Sequence, residues 1–390
     1  MTVSFPSHSL PFPPVPSPSL PSPAAGVPYR GDVTRVRTRA GAGAMASVFA
    51  PVVLCVVAAC SGGTPAASPS GHATVTASPH SARPARAARS RVLATSRSPL
   101  PLPAALAPFG GRAFAGEGAW HPAGRLVDGV AAVYDTTLVP PGSTWRAGIA
   151  WMDTRLLAAR LYSGSKSPGG GPYRYTAPIR PAQAASLVAA FNGGFKMADA
   201  HGGYYTEGRV IYPLVPGAAS LVIYANGSVT VGAWGTDVSM TRDVVAVRQN
   251  LVPLIAAGQP TALAAGSDWR AWGNTCGASS CAASVPGIEH QWRSGLGVTA
   301  DGALVYAVGP SLDPLQLAQL LVSAGVVRGM QLDINPAWPV FASYDPAATR
   351  GLAGPANGSK LLSTTKQGPW TFFEPWWARD FITMSARVAG

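Results

Sequence analysis

Asp333 ends an apolar run, Val326 to Leu332, and a carboxylate delivered at a strand end can activate water or stabilise a developing positive centre. Its plain alternative is a capping aspartate. Arg293 enters a second apolar stretch and would suit a two-pronged contact with an oxyanion, or else is a surface arginine at a strand start. Asn192 with Gly193 and Gly194 could set a side-chain amide and bare backbone against a ligand, or could form a tight turn between strands. Lys196, His201 and Glu207 follow in a polar, glycine-rich stretch, each also readable as a solvated side chain. Glu207 is the best second carboxylate, because Tyr204-Tyr205-Thr206-Glu207-Gly208 presents it beside aromatics able to stack on a ligand ring. Asn335 and Trp338 lie just beyond Asp333. Trp338 could stack in the same way or pack within its proline-flanked loop.

The common chemistries leave no trace. There is no glycine-rich phosphate loop ending in Lys-Ser/Thr, no His-Glu-x-x-His and no Gly-x-Ser-x-Gly. Ser163-Gly164-Ser165-Lys166 has the Ser-x-x-Lys spacing of penicillin-binding enzymes, but Pro168 and three glycines follow where a helix would be needed. His121, His201 and His290 are the only histidines after residue 116, too few for a multi-histidine metal centre. Asp333, Asp301, Glu207 and Asn335 offer oxygens that a hard cation such as calcium would accept if they converged, yet their spacing follows no ion-binding loop. No cofactor is expected.

The elements that must position these groups are mostly short strands. Ala147 to Met152 and Leu156 to Tyr162 read as strands broken at Asp153-Thr154. Asn226-Gly227 and Asp301-Gly302 each sit between two apolar runs, the strongest short signal for a hairpin. Two helices are predicted. One covers Pro181 to Ala190, rich in alanine with proline at its first turn; the other follows Asp313-Pro314, with Leu317, Leu320, Leu321 and Ala324 on one face and Gly325 as its stop. The fold class expected is α+β, a single domain over 117–390 of mixed, mainly antiparallel short strands with a few helices.

Charge and composition divide the 390-residue chain. Residues 1–116 carry ten arginines and one aspartate, leaving nineteen basic and sixteen acidic side chains for the rest of a chain whose net charge is +12. A nucleic-acid binder needs its positive field on the folded surface, so a basic leader gives no reason to expect nucleic acid as a partner. All eleven tryptophans fall between Trp120 and Trp377. Residues 1–32 and 61–116 are rich in Pro, Ser, Ala and Arg and are expected to be disordered.

Between them, 33–60 reads as an export signal: Arg35, Arg37 and Arg39, an apolar run from Met45 to Ala59, then small residues. Val57-Ala58-Ala59-Cys60 resembles the lipobox of bacterial lipoproteins, which implies lipidation at Cys60 and a membrane anchor, with cleaved secretion or a retained anchor as alternatives. The first 32 residues have no evident role in export, so the true start of translation is expected nearer Val33 or Val36. Cys276 and Cys281 stand in a Gly- and Ser-rich segment and are expected to form a disulfide in an oxidising compartment.

Four segments together carry a resemblance: Phe191-Asn192-Gly193-Gly194-Phe195, Gly208-Arg209-Val210, Arg293 through Gly302, and Leu332-Asp333. In order and spacing, over roughly 130–345, they resemble the successive motifs of the phosphodiester glycosidase family. The resemblance implies a hydrolase that releases a sugar from a sugar-1-phosphodiester or a related cell-envelope glycan. Asp333, Arg293, Asn192 and Glu207 would be its catalytic residues, and Gly193, Gly194, Lys196, His201, Asn335 and Trp338 would bind substrate. A glycan-binding lipoprotein that does not cut its ligand is the alternative. The chain departs from the family at one place: Asp333-Ile334-Asn335-Pro336-Ala337-Trp338-Pro339 stands where Asp-Gly-Gly-Gly-Ser is usual. Pro336 and Pro339 have no N–H to offer an anion, and Ile334 adds bulk.

Overall fold

In the computed structural model, the residues described are 98–110, 114–266, 269–273, 290–346 and 351–387. The export signal, Cys60, and the pair Cys276 and Cys281 lie outside them. The α+β expectation gives way to a mainly β fold, in which three antiparallel sheets dominate and the described α-helices are confined to Pro181–Ala184, Ala262–Ala265 and Pro314–Ser323. No helix among the described residues is long and apolar enough to cross a membrane.

Part of the correction comes from the alanine-rich run after Pro181. The helix stops at Ala184, and Leu187–Asn192 is a strand whose six residues are all buried. A short apolar run without alternation fits a helix segment or a strand covered on both faces, and packing decides between them. The leader also ends earlier than expected. Leu100 and Leu106 are buried in the main core, and Leu100 N donates to Asp153 Oδ2 at 2.7 Å.

The largest sheet has eight strands, with Ala147–Met152, Leu304–Leu312, Gln291–Thr299 and Val326–Gln331 adjacent in that order at its centre. A second sheet of five runs through Val244–Gln249, and a third of five places Leu187–Asn192 beside Phe381–Ala386, with Leu157–Tyr162 at its edge. The hairpins predicted at Asn226-Gly227 and Asp301-Gly302 are present, with Ile223 opposite Val229 and Val298 opposite Leu304, and both glycines adopt positive φ.

Helix Pro314–Ser323 starts as its sequence predicts. Asp313 accepts from Gln316 N at 2.7 Å while the Gln316 side chain returns to Asp313 N, a reciprocal cap. Leu317 and Leu321 lie on Gly295 so closely that a Cβ there would meet both side chains at 3.1 Å. Such a contact fixes the helix over Gln291–Thr299.

Candidate functional site

Ends of strands from all three sheets meet at Asp333. The residue follows Val326–Gln331 and is 1% exposed. Its backbone is held by Ser294 of the neighbouring strand: Ser294 N donates to Asp333 O at 2.9 Å, and Asp333 N donates to Ser294 Oγ at 3.1 Å. Asn192, at the end of the third sheet's central strand, fixes that serine in turn. Its Nδ2 donates to Ser294 Oγ at 3.1 Å and to Gly193 O at 2.8 Å, while its Oδ1 accepts from Tyr306 Oη at 2.7 Å and Val340 N at 3.0 Å. All four hydrogen-bonding positions of the Asn192 amide are taken, so it positions the site and does not present itself to a ligand.

The partner of the Asp333 carboxylate comes from far along the chain. Arg379 Nη2 donates to Asp333 Oδ2 at 2.7 Å and to Gly194 O at 3.3 Å, and the guanidinium lies over the Trp338 ring at 5.0 Å. Asp333 Oδ1 accepts from Asn335 N at 2.9 Å, and Asn335 Oδ1 accepts from Ala337 N at 3.0 Å. Two consecutive side-chain-to-backbone turns thus shape the segment where glycines were absent, and they hold Trp338 at its rim. Burial pushes the Asp333 carboxyl up to about 6, and Arg379 with the Asn335 amide opposes that rise.

The result is an open cleft of about 460 Å³ with Asp333 and Arg379 at its floor. Phe195, Trp338, Asn335, Lys196 and Asp199 line it, the last two exposed and paired at 3.4 Å. Five expected residues are therefore in or at the cleft by contact or lining: Asp333, Asn335, Trp338, Lys196 and, through its carbonyl, Gly194.

The other expected residues have different work. Arg293 is fully buried, donating from Nε to Leu312 O at 2.7 Å and from Nη1 to Gln331 Oε1 at 2.6 Å. Desolvation pulls its pKa down to about 9, and it braces two strands where an oxyanion contact was expected. Glu207 is spent on the backbone, accepting from Arg174 N at 3.0 Å and Tyr175 N at 2.9 Å, and does not line the cleft with Asp333. His201 is exposed with positive φ, also outside that lining. Asp301 accepts from Thr299 at its hairpin tip, and no three His, Cys, Asp or Glu side chains gather among the described residues.

Gly193 and Gly194 make room for an ion pair that the sequence did not reveal. Arg248 Nε donates to Asp380 Oδ2 at 2.8 Å and Nη2 to Oδ1 at 3.2 Å, both side chains being essentially inaccessible. A Cβ on Gly193 would lie 2.0 Å from Asp380 Oδ2, and one on Gly194 would lie 2.5 Å from Asn250 Oδ1. Asn250 ties the same turn to the Asp333 strand, accepting from Phe195 N and donating to the carbonyls of Gln331 and Leu332 at 2.9 Å each. Arg379 and Asp380 therefore form two separate buried pairs from adjacent positions. The available signal was Arg379-Asp380 immediately before the apolar strand Phe381-Ile382-Thr383-Met384, together with Arg248 inside an apolar strand. Charges at such places are costly unless paired.

The fold and the cleft together define a mainly β protein with a buried carboxylate–guanidinium pair where three sheets meet. No protein-family model matches the chain, and no curated protein sequence does. Among solved structures, it is similar to the catalytic domain of the zebrafish N-acetylglucosamine-1-phosphodiester α-N-acetylglucosaminidase, auto-inhibited by its pro-peptide. That likeness has 14% identity and a TM-score of 0.38, and spans 68% of this chain and 87% of the other. A hypothetical protein from Synechocystis is similar at 10% identity and a TM-score of 0.34, over 68% of this chain and 64% of that one.

Proposed function

We propose that this protein is a hydrolase that releases a sugar from a sugar-1-phosphodiester or a related cell-envelope glycan, and that the Asp333 cleft is its active site. The observation that carries this reading is the Asp333–Arg379 contact, 2.7 Å long, at the floor of an open cleft beside Trp338. Arg379 Nη1 makes no hydrogen bond among the described residues and stays available for an oxyanion, while Trp338 and Phe195 offer aromatic surface to a sugar ring. Asp333, ionised above about pH 6, stabilises positive charge at the anomeric carbon or takes a proton from the attacking water. The anomeric C–O bond to phosphate breaks, water supplies the new hydroxyl, and the phosphate leaves as a monoester with Arg379 on its oxygens. A phosphate is already a weak base, so it needs less help from a general acid than an alcohol would.

The same reading places the protein at the outer face of a bacterial cell membrane, anchored through a lipid on Cys60, with a glycan or sugar phosphate as its partner. Binding without hydrolysis is the second reading. It is favoured by one feature: the other carboxylate in the cleft, Asp199, is exposed and paired with Lys196.

Incubation of the protein with a panel of sugar-1-phosphodiesters, read by mass spectrometry, tests the proposal. Release of free sugar by the parent and at least about a hundredfold less by Asp333→Asn is the expected result, the size of a lost proton-transfer or charge-stabilising group. Retention of the phosphodiesters by both proteins without release would replace hydrolysis by binding.

A further inference from the structure

A second cleft of about 470 Å³ opens on the far part of the third sheet, with none of the lining residues of the Asp333 cleft. Arg379 and Arg387 flank the strand Phe381–Ala386, so at about 3.3 Å per residue the two clefts stand at most about 26 Å apart along it. Its lining includes Arg160, Arg174 and Arg387 and neither Asp nor Glu.

The sheet register explains how the cleft forms. Leu157–Tyr162 is an edge strand, and Arg160 lies opposite Thr383 while Ala158 lies opposite Ser385. Directly opposed residues of an antiparallel pair, and residues two apart on one strand, share a face. Arg160, Thr383 and Ser385 therefore rise from one surface, and the small side chain of Ala158 leaves the hollow between them. From above, Tyr175 receives two guanidinium groups, Arg160 at 4.1 Å and Arg174 at 5.3 Å from its ring centre. Arg387 is pinned by donating to the carbonyls of Thr154 and Asn226. Glu207 is the acid in the adjoining hollow, which shares Arg160 and Tyr175, and both of its oxygens accept backbone amides.

Neither Arg160 nor Arg174 has a carboxylate partner among the described residues. Two cations brought onto one ring repel each other unless an anion joins them. We infer that this second cleft binds the phosphate groups of an anionic chain. Arg160, Arg174, Thr383 and Gln183 present more donors than a carboxylate's two oxygens can use, whereas a phosphate takes them on three or four oxygens. The inference stands apart from hydrolysis at Asp333, because it concerns binding alone.

Calorimetric titration of the full chain with inorganic pyrophosphate tests it, with Arg160→Gln/Arg174→Gln beside Arg180→Gln, an exposed arginine outside the cleft. The double variant is expected to lose about tenfold or more in affinity, the worth of one to two charge-assisted hydrogen bonds, while Arg180→Gln keeps the parent value. Unchanged far-ultraviolet circular dichroism of the double variant accompanies that loss, since both arginines are exposed. Parent-like binding by the double variant, an equal loss in Arg180→Gln, or equally tight binding of a dicarboxylate such as succinate would overturn the inference.

Discussion

Arg379 holds Asp333 at 2.7 Å, and its chain neighbour Asp380 holds Arg248 at 2.8 Å, so one Arg-Asp step ties the third sheet to the other two. The two pairs differ in setting. Arg248 and Asp380 are sealed in the interior, whereas Asp333 and Arg379 face a cleft.

The sealed pair is structural, and breaking it strands a charge. Asp380→Asn or Arg248→Met is expected to cost about 3–5 kcal/mol, read from urea unfolding, because the remaining partner stays buried and uncompensated. A cost below about 1 kcal/mol would show the pair to be solvated.

Gly193→Ala probes the same place from the backbone. Its new methyl carbon would fall 2.0 Å from Asp380 Oδ2, so the chain must shift, at a cost of about 1–3 kcal/mol. Wild-type thermal stability in this variant would contradict the close approach.

The pH dependence follows from burial and charge. Asp333 is raised to about 6 by desolvation, with Arg379 pulling it back down. Turnover that needs the carboxylate therefore rises through about pH 6, and in Arg379→Met the rise moves to higher pH. For folding the sign is opposite: the native state holds the proton more tightly than the unfolded chain. The stability from this group is present below its ordinary value of 3.8 and is lost as pH rises through about 6. A turnover limb that stays in place or moves down in Arg379→Met would contradict this assignment.

The two expected carboxylates now separate by experiment. Glu207→Gln should leave turnover within about twofold, since its oxygens serve the amides of Arg174 and Tyr175 and not the cleft. Trp338→Ala should weaken substrate binding by about three- to tenfold, the worth of one aromatic contact. A collapse of turnover in Glu207→Gln would restore it as the second carboxylate.

What the sequence made legible was local. Asp301-Gly302 and Asn226-Gly227 dictate their hairpins, and Asp313-Pro314 with Gln316 dictates a helix start, because each acts within a few residues. Asp333 was legible as an acid delivered by an apolar strand. Arg379 was not, because its meeting with Asp333 depends on how the last strand docks between Leu157–Tyr162 and Leu187–Asn192. Arg293 misled for the reverse reason: an arginine in an apolar strand resembles an oxyanion ligand until Leu312 O and Gln331 are seen to occupy it. The run after Pro181 held enough alanine for a helix, and burial on both faces made it a strand.

Hydrolysis of one sugar-1-phosphodiester in ¹⁸O-labelled water tests the central claim most directly. Attack at the anomeric carbon places the label in the sugar hydroxyl and leaves the phosphate monoester unlabelled, with turnover lost in Asp333→Asn. Label in the phosphate, or turnover undiminished in Asp333→Asn, would contradict a glycosidase centred on Asp333.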